Sequence, residues 1–297
     1  MHAYREEPPS GFITCANADR AGCNWLVDEQ DATPYCFACR LSSMVPDLTD
    51  PDNLEHWRRL EAAKRYFLYG VTHLGLPIVS RQQDPEHGLT FELLADWSND
   101  PRDSIMTGHN NGLITIDIAE ANSPEREARR DALHEPIRTL VGHFRHESGH
   151  YYWNLLVERA NLTEQARAVF GDDQQDYQQA LKTYYANGPA ANWQEFFISA
   201  YASCHPQEDF AESWAHYLHI SDSLETAISY GMIRSDAFSR PAEAPPSFDE
   251  MIKTWIPLTV SVNALNRAMG QPDLYPFVLS TPVIEKLRFI HNLIRQP

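Results

Sequence analysis

Hydrophobic positions along the chain follow two kinds of spacing. From Asn53 to Gly75 the residues Leu54, Trp57, Leu60, Ala63, Phe67, Leu68 and Val71 recur at intervals of three and four, which predicts an amphipathic helix. Two segments opened by proline, Pro136–Arg159 and Pro206 to about Tyr230, are also expected to be helical, because proline suits a first helical position. Further helices are expected at Phe248–Met269 and Pro282–Arg295, the latter with Ile284, Leu287, Ile290, His291 and Ile294 on one side. Gly112–Ile118 instead alternates apolar and polar side chains and is rich in β-branched residues, the pattern of a strand. Phe91–Trp97 and Ile105–Met106 are its candidate partners, and a free edge on this strand could take up an extended peptide. The most polar stretches are Gly171–Gln179 and Arg234–Asp249, the second proline-rich and read as a surface loop. The pattern predicts an α+β protein, mainly helical, with a small sheet.

Composition narrows the classes of function. The 297 residues carry 24 Lys+Arg against 41 Asp+Glu, a net charge of −17, which argues against nucleic acid as the main partner. With 43% hydrophobic residues a packed core is expected, and no apolar run approaches the roughly 18 residues that a membrane-spanning helix needs. The first residues are acidic and proline-rich, unlike a secretory signal, so a cytoplasmic protein without a membrane partner is expected.

Four of the five cysteines, Cys15, Cys23, Cys36 and Cys39, fall within the first 39 residues. In a reducing compartment such clustering points to a metal more than to disulfides. Cys36 and Cys39 form a C-x2-C knuckle; with Cys15 and Cys23 they would complete a closed four-thiolate zinc site of structural type. The first pair is unusual for a zinc ribbon, because seven residues separate its members. Residues 1–50 are therefore read as a zinc-ribbon-like module and 51–297 as a second domain.

His146-Glu147-Ser148-Gly149-His150 is an H-E-x-x-H sequence. On a helix the two imidazoles lie one turn apart on one face and can share a metal, while Glu147 can reach a water on that metal. His143 lies on the same face and is read as support or core. A hydrolytic zinc site needs a third protein ligand, and Glu208 and Glu212 offer it from the helix that starts at Pro206. One would ligate while the other accepts the N–H of a ligating histidine. Asp209 is a substitute candidate, but it sits about 100° around that helix from Glu208. His216, His219 and Cys204 are read as packing residues, and Gly149 as the close approach of a neighbouring element.

H-E-x-x-H followed by a Glu-bearing helix with another acid four residues on resembles the gluzincin metallopeptidases. H-E-x-G-H with E-x-F-A-E is similar to the catalytic domain of anthrax lethal factor, whose substrate-facing tyrosine precedes its ligand glutamate by seven residues, as Tyr201 precedes Glu208. The joint pattern more closely resembles a bacterial family of zinc-binding metallopeptidases with an N-terminal zinc ribbon. The residues that carry this are the cysteine module, Asn53–Glu55 through Arg59–Glu61, Gly142–Glu147, and His205-Pro206 through His219-Ile220. The resemblance implies His146, His150 and Glu208 as ligands of a catalytic zinc, Glu147 as general base, Glu212 as the supporting acid, and a gluzincin-like helical domain. It implies no particular substrate.

The expected reaction is hydrolysis of a peptide bond in a peptide or protein. Tyr201 is the first candidate to donate to the oxyanion and His205 the second. The same metal chemistry would serve an amidase or deamidase on a non-peptide substrate. A non-catalytic zinc-stabilised binding protein is the remaining alternative, and Glu147 speaks against it. The 57 residues between His150 and Glu208 exceed what the motif requires; their polar middle, residues 171–190, is read as a lid or as decoration.

Overall fold

The computed structural model describes residues 8–96, 105–132, 135, 138–233 and 246–296. Trp97, Pro136 and most of Arg234–Asp249 lie outside them. The chain divides into two compact units, Met1–Glu147 and Ser148–Pro297, and the division falls inside one continuous helix.

The first unit begins with a hairpin of β1 (Phe12–Thr14) and β2 (Leu26–Asp28). Between the strands lies α1 (Ala18–Ala21), which accounts for the wide spacing of the first two cysteines. Ala18 and Ala21 are buried, and Gly22, at φ +61°, turns the chain back so that Cys23 rejoins Cys15. The short α2 (Phe37–Arg40) follows Cys36, and β3 (Ser42–Met44) leaves the module to pair in parallel with β4 (Thr90–Leu94). The tail of the ribbon is thus one strand of a four-stranded sheet ordered β3-β4-β6-β5, completed by β5 (Gly108–Asn110) and β6 (Leu113–Asp117).

Strand β6 is the segment expected from the alternation at Gly112–Ile118, but it is not an edge. It pairs in parallel with β4 and antiparallel with β5, so its backbone is not open to a peptide. The antiparallel partner also starts later than expected, at Gly108 rather than at Ile105–Met106. Leu89, Phe91, Leu93, Ile114 and Ile116 are fully buried, and the rings of Phe67, Phe91 and Phe144 meet at 5.6–6.4 Å.

Helix α3 (Pro51–His73) has Asp50 as its N-cap, with the carboxylate accepting from the N–H groups of Asp52 and Asn53. Its arginines reach back to the ribbon: Arg58 donates to the carbonyl oxygens of Arg20 and Asp19, and Arg65 to those of Ala21 and Gly22. These are the unsatisfied carbonyls at the end of α1, where cations are favoured. Helix α4 (Ser123–Ala132) follows the sheet.

Helix α5 (Leu140–Tyr152) starts later than the Pro136 expected from sequence. The Thr139 hydroxyl accepts from the Gly142 N–H at 3.0 Å, so the chain is capped there. Beyond Tyr152 the helix widens into a π-type turn, Trp153–Glu158. The second unit adds α6 (Thr163–Phe170), α7 (Tyr177–Asn187), α8 (Pro206–Ser229), α9 (Phe248–Ala268) and α10 (Thr281–Ile294). Helix α8 is its centre: Phe210, Ala211, Trp214, Leu218 and Leu224 are all buried. Tyr152 stacks on Trp214 at 4.6 Å, Trp153 meets Phe210 edge-on at 5.0 Å, and Trp214 Nε1 donates to Ser148 Oγ at 3.1 Å. The crossing is tight at Gly149, where a Cβ would stand 2.6 Å from Ala211 Cα. The close neighbour expected at Gly149 is therefore α8.

Gly149→Ala is expected to destabilise the protein by about 1–3 kcal/mol, because the overlap is with backbone and outweighs the better helix propensity of alanine. A lower midpoint of thermal or urea unfolding would show it; an unchanged or raised midpoint would mean that the helices can part without cost.

Candidate metal centres and active site

Two clusters of metal-ligating side chains are present among the described residues. In the ribbon, Sγ of Cys15 lies 3.7 Å from that of Cys39, Cys23 3.6 Å from Cys36, and Cys39 3.9 Å from Cys23. A disulfide would require about 2.05 Å. Four thiolates about 2.3 Å from a central zinc in a tetrahedron lie about 3.8 Å apart, which is the spacing seen. All four cysteines are buried, and the Cys36 N–H donates to Cys15 Sγ at 3.3 Å. The donor set therefore fits a structural zinc.

The second cluster is His146, His150 and Glu208, whose ligand atoms lie within 4.8 Å of one another. Helical periodicity puts both histidines on one face of α5, and Glu208 comes from the first turn of α8, with its Oε1 3.4 Å from His150 Nε2. Two imidazoles and one carboxylate, with no fourth ligand in the cluster, are the donor set of an open zinc site. Glu208 is 1% exposed, and a carboxylate so buried needs a positive partner nearby. Glu147, next to His146 on α5, is also buried, at 8% exposure. Glu212, one turn on from Glu208, is half-buried.

The other candidates take distinct places. His205 is the N-cap of α8: its Nδ1 accepts from the Gln207 N–H at 3.2 Å and its Nε2 lies 3.2 Å from the carbonyl oxygen of Gln175. That pairing leaves Nε2 to donate to Gln175, and both ring nitrogens are occupied. Tyr201 sits in a short 3-10 turn, Tyr201–Ser203, just before α8. Burial pushes its phenol far above the usual range, and the charge of Glu208 adds to the shift, so it keeps its proton as a donor. Lys286 of α10 holds the segment leading to this turn, donating to the Phe196 carbonyl at 2.6 Å and lying 4.2 Å from the centre of the Phe197 ring. It also pairs with Asp209 at 2.7 Å, although burial still pushes that carboxyl up to about 7. Asp209 thus belongs to an ion pair rather than to the cluster. His216 bonds the Tyr275 hydroxyl at 2.9 Å and packs against Phe277 and His219, as expected of packing residues.

Sequence reasoning missed Tyr177, whose hydroxyl donates to Glu208 Oε1 at 2.6 Å. Nothing in its polar surroundings marks it, though Asp176 is a helix N-cap signal that announces α7. It also missed the anchor of α5. His143 Nε2 meets Glu120 Oε2 at 3.1 Å, and Glu120 also pairs with Arg129 and Arg138 at 2.7 and 2.6 Å. Burial alone would raise the Glu120 carboxyl, but His143 and Arg138 hold it well below the usual carboxylate range.

Two family models match the chain. One, described as a zinc-ribbon domain, matches residues 2–50; the other, described as "Putative zinc-binding metallo-peptidase", matches residues 53–293. The chain belongs to this metallo-peptidase family. Among curated proteins, uncharacterized proteins of Mycobacterium tuberculosis and Mycobacterium bovis are each 45% identical over 282 residues, which is 94% of this chain and 82% of theirs. No solved structure matches. Membership of the metallo-peptidase family agrees with the two zinc-compatible donor sets, and no helix among the described residues is long and apolar enough to cross a membrane.

Glu120→Gln is expected to lower unfolding free energy at neutral pH by about 1–3 kcal/mol, since it removes the buried carboxylate that Arg129, Arg138 and His143 share, while Arg129 keeps Asp117 and Glu125 and Arg138 keeps Glu135. A carboxyl depressed in the folded state contributes above its unfolded pKa of about 4.3 and loses that contribution as pH falls toward the folded value. The gap between variant and wild type should therefore be full at pH 7 and narrow below about pH 4. A gap independent of pH would assign the effect to packing instead.

Proposed function

We propose that this chain is a zinc-dependent peptidase that hydrolyses peptide bonds in a peptide or protein substrate. Its catalytic zinc would be held by His146, His150 and Glu208, and a second, structural zinc by Cys15, Cys23, Cys36 and Cys39. The observation that carries the reading is the convergence of two imidazoles and a buried carboxylate within 4.8 Å, with Glu147 beside them in sequence. Zinc supplies Lewis acidity at such a site, polarising a carbonyl and acidifying water.

The chain's own residues do the rest. Glu147 takes the proton of the attacking water and delivers it to the leaving amine, so the amine departs neutral. Tyr201, neutral because it is buried, donates its O–H to the oxygen that becomes negative as the carbonyl turns tetrahedral. His205, with both ring nitrogens engaged, caps α8 and so sets where Glu208 begins. Glu212 is assigned to the N–H of a ligating histidine, which fixes the tautomer that binds metal.

Elemental analysis should find two zincs per chain, falling to one in His146→Ala. Glu147→Gln should keep both zincs and lose cleavage of a peptide library; full hydrolysis by this variant would remove Glu147 from the role of base. Tyr201→Phe should keep its metal and lose about ten- to a thousandfold in kcat. Unchanged turnover would move the oxyanion donor elsewhere.

A further inference from the structure

Helix α7 is the least buried helix of the second unit for its length: none of its residues is fully buried, and one stripe, Tyr177, Ala180, Leu181 and Tyr184, is half-buried. That stripe meets the candidate site at three points. The Tyr177 hydroxyl donates to Glu208 Oε1 at 2.6 Å, the Tyr177 ring meets His205 edge-on at 5.1 Å, and the Tyr184 ring meets Tyr201 edge-on at 5.8 Å. A fourth tie lies just before the helix, where the Gln175 carbonyl faces His205 Nε2. Apolar burial is too thin to seat α7 by itself, so its position depends strongly on these polar and ring contacts.

Resting on the assignment of Glu208 as a zinc ligand, we infer that Tyr177 is a positioning residue for that ligand, and that α7 is a cover whose seating and zinc occupancy are linked. The oxygen that receives the phenol is the one 3.4 Å from His150 Nε2. A carboxylate oxygen has two lone pairs, so it can accept the phenol proton on one and present the other to a metal. The phenol removes rotational freedom from the carboxylate and leaves Oε1 beside His150. Such supporting bonds to a ligand are worth about 10–100-fold in metal affinity. Linkage is reciprocal: if seating α7 tightens zinc binding by a given factor, zinc must tighten the seating by the same factor.

The test uses the full chain with zinc as the probe. Tyr177→Phe keeps the ring against His205 and removes only the hydroxyl. Chelator competition should show zinc at the His146/His150/Glu208 site weakened by about 10–100-fold, while the zinc of the four cysteines, an internal control for folding, is unchanged. Hydrogen exchange across 177–187 should slow when wild-type protein binds zinc, and this dependence on zinc should vanish in Tyr177→Phe. Exchange that is faster by the same factor with and without zinc, at unaltered zinc affinity, would mean a merely structural tyrosine and overturn the inference. So would faster exchange in zinc-loaded wild type, because the metal would then expel the phenol. Glu208→Gln separates the two levels. If it loses the second zinc while Tyr177→Phe does not weaken it, the inference fails alone; if neither variant weakens it, the assignment of Glu208 as a ligand fails first.

Discussion

Side chains from two helices can share one metal only if the helix axes come close enough for short side chains to meet. In this protein that closeness is set where Gly149 of α5 lies against Ala211 of α8, a contact with no room for another methyl group. Gly149 is the residue before His150, and Ala211 lies three residues after Glu208, so the tightest point of the crossing is next to the candidate cluster. A helix interior disfavours glycine by about 1 kcal/mol relative to alanine. That local loss is offset by aromatic packing on either side, Tyr152 on Trp214 and Trp153 on Phe210. The geometry of the candidate cluster is therefore a property of the hydrophobic core, since His146, His150 and Glu208 all stand on helices packed there.

The same dependence explains why the polar residues around the site are mostly occupied with holding helices. His205 caps α8, Lys286 ties Asp209 to the segment before Tyr201, and Glu120 gathers His143, Arg129 and Arg138 near the start of α5. Lys286, Asp209 and Glu120 are buried and charged, so each is expensive to leave without a counter-charge. Their arrangement leaves few ways to move one helix without breaking an ion pair.

Much of this was legible in the sequence, and the reasons differ by element. Helices α3, α8, α9 and α10 were visible because long apolar stripes or a proline start mark them within a residue or two. The cysteines and the H-E-x-x-H residues were visible because ligand spacing is local. The partner expected at Phe91–Trp97 is present as β4, but the free edge of β6 was misjudged, because alternation reveals a strand and not which of its edges are covered; β5 closes the second one. Helix α4 and the contacts of Tyr177 and Glu120 were not legible either. A charged helix has no apolar stripe to detect, and a hydrogen bond across 31 residues leaves no trace in composition.

The ribbon departs from the usual idea of a metal module as a detachable cartridge. Its last strand, β3, covers one side of β4, and α3 grips the end of α1 through Arg58 and Arg65. A chain cut after residue 50 would not simply lose an accessory. It would uncover the edge of a β4 whose Leu93 and Phe91 are built for a core, which is the kind of surface on which sheets of different molecules join. Strand β3 thus keeps that edge of β4 paired, so the ribbon and the sheet share one backbone ladder rather than a mere tether.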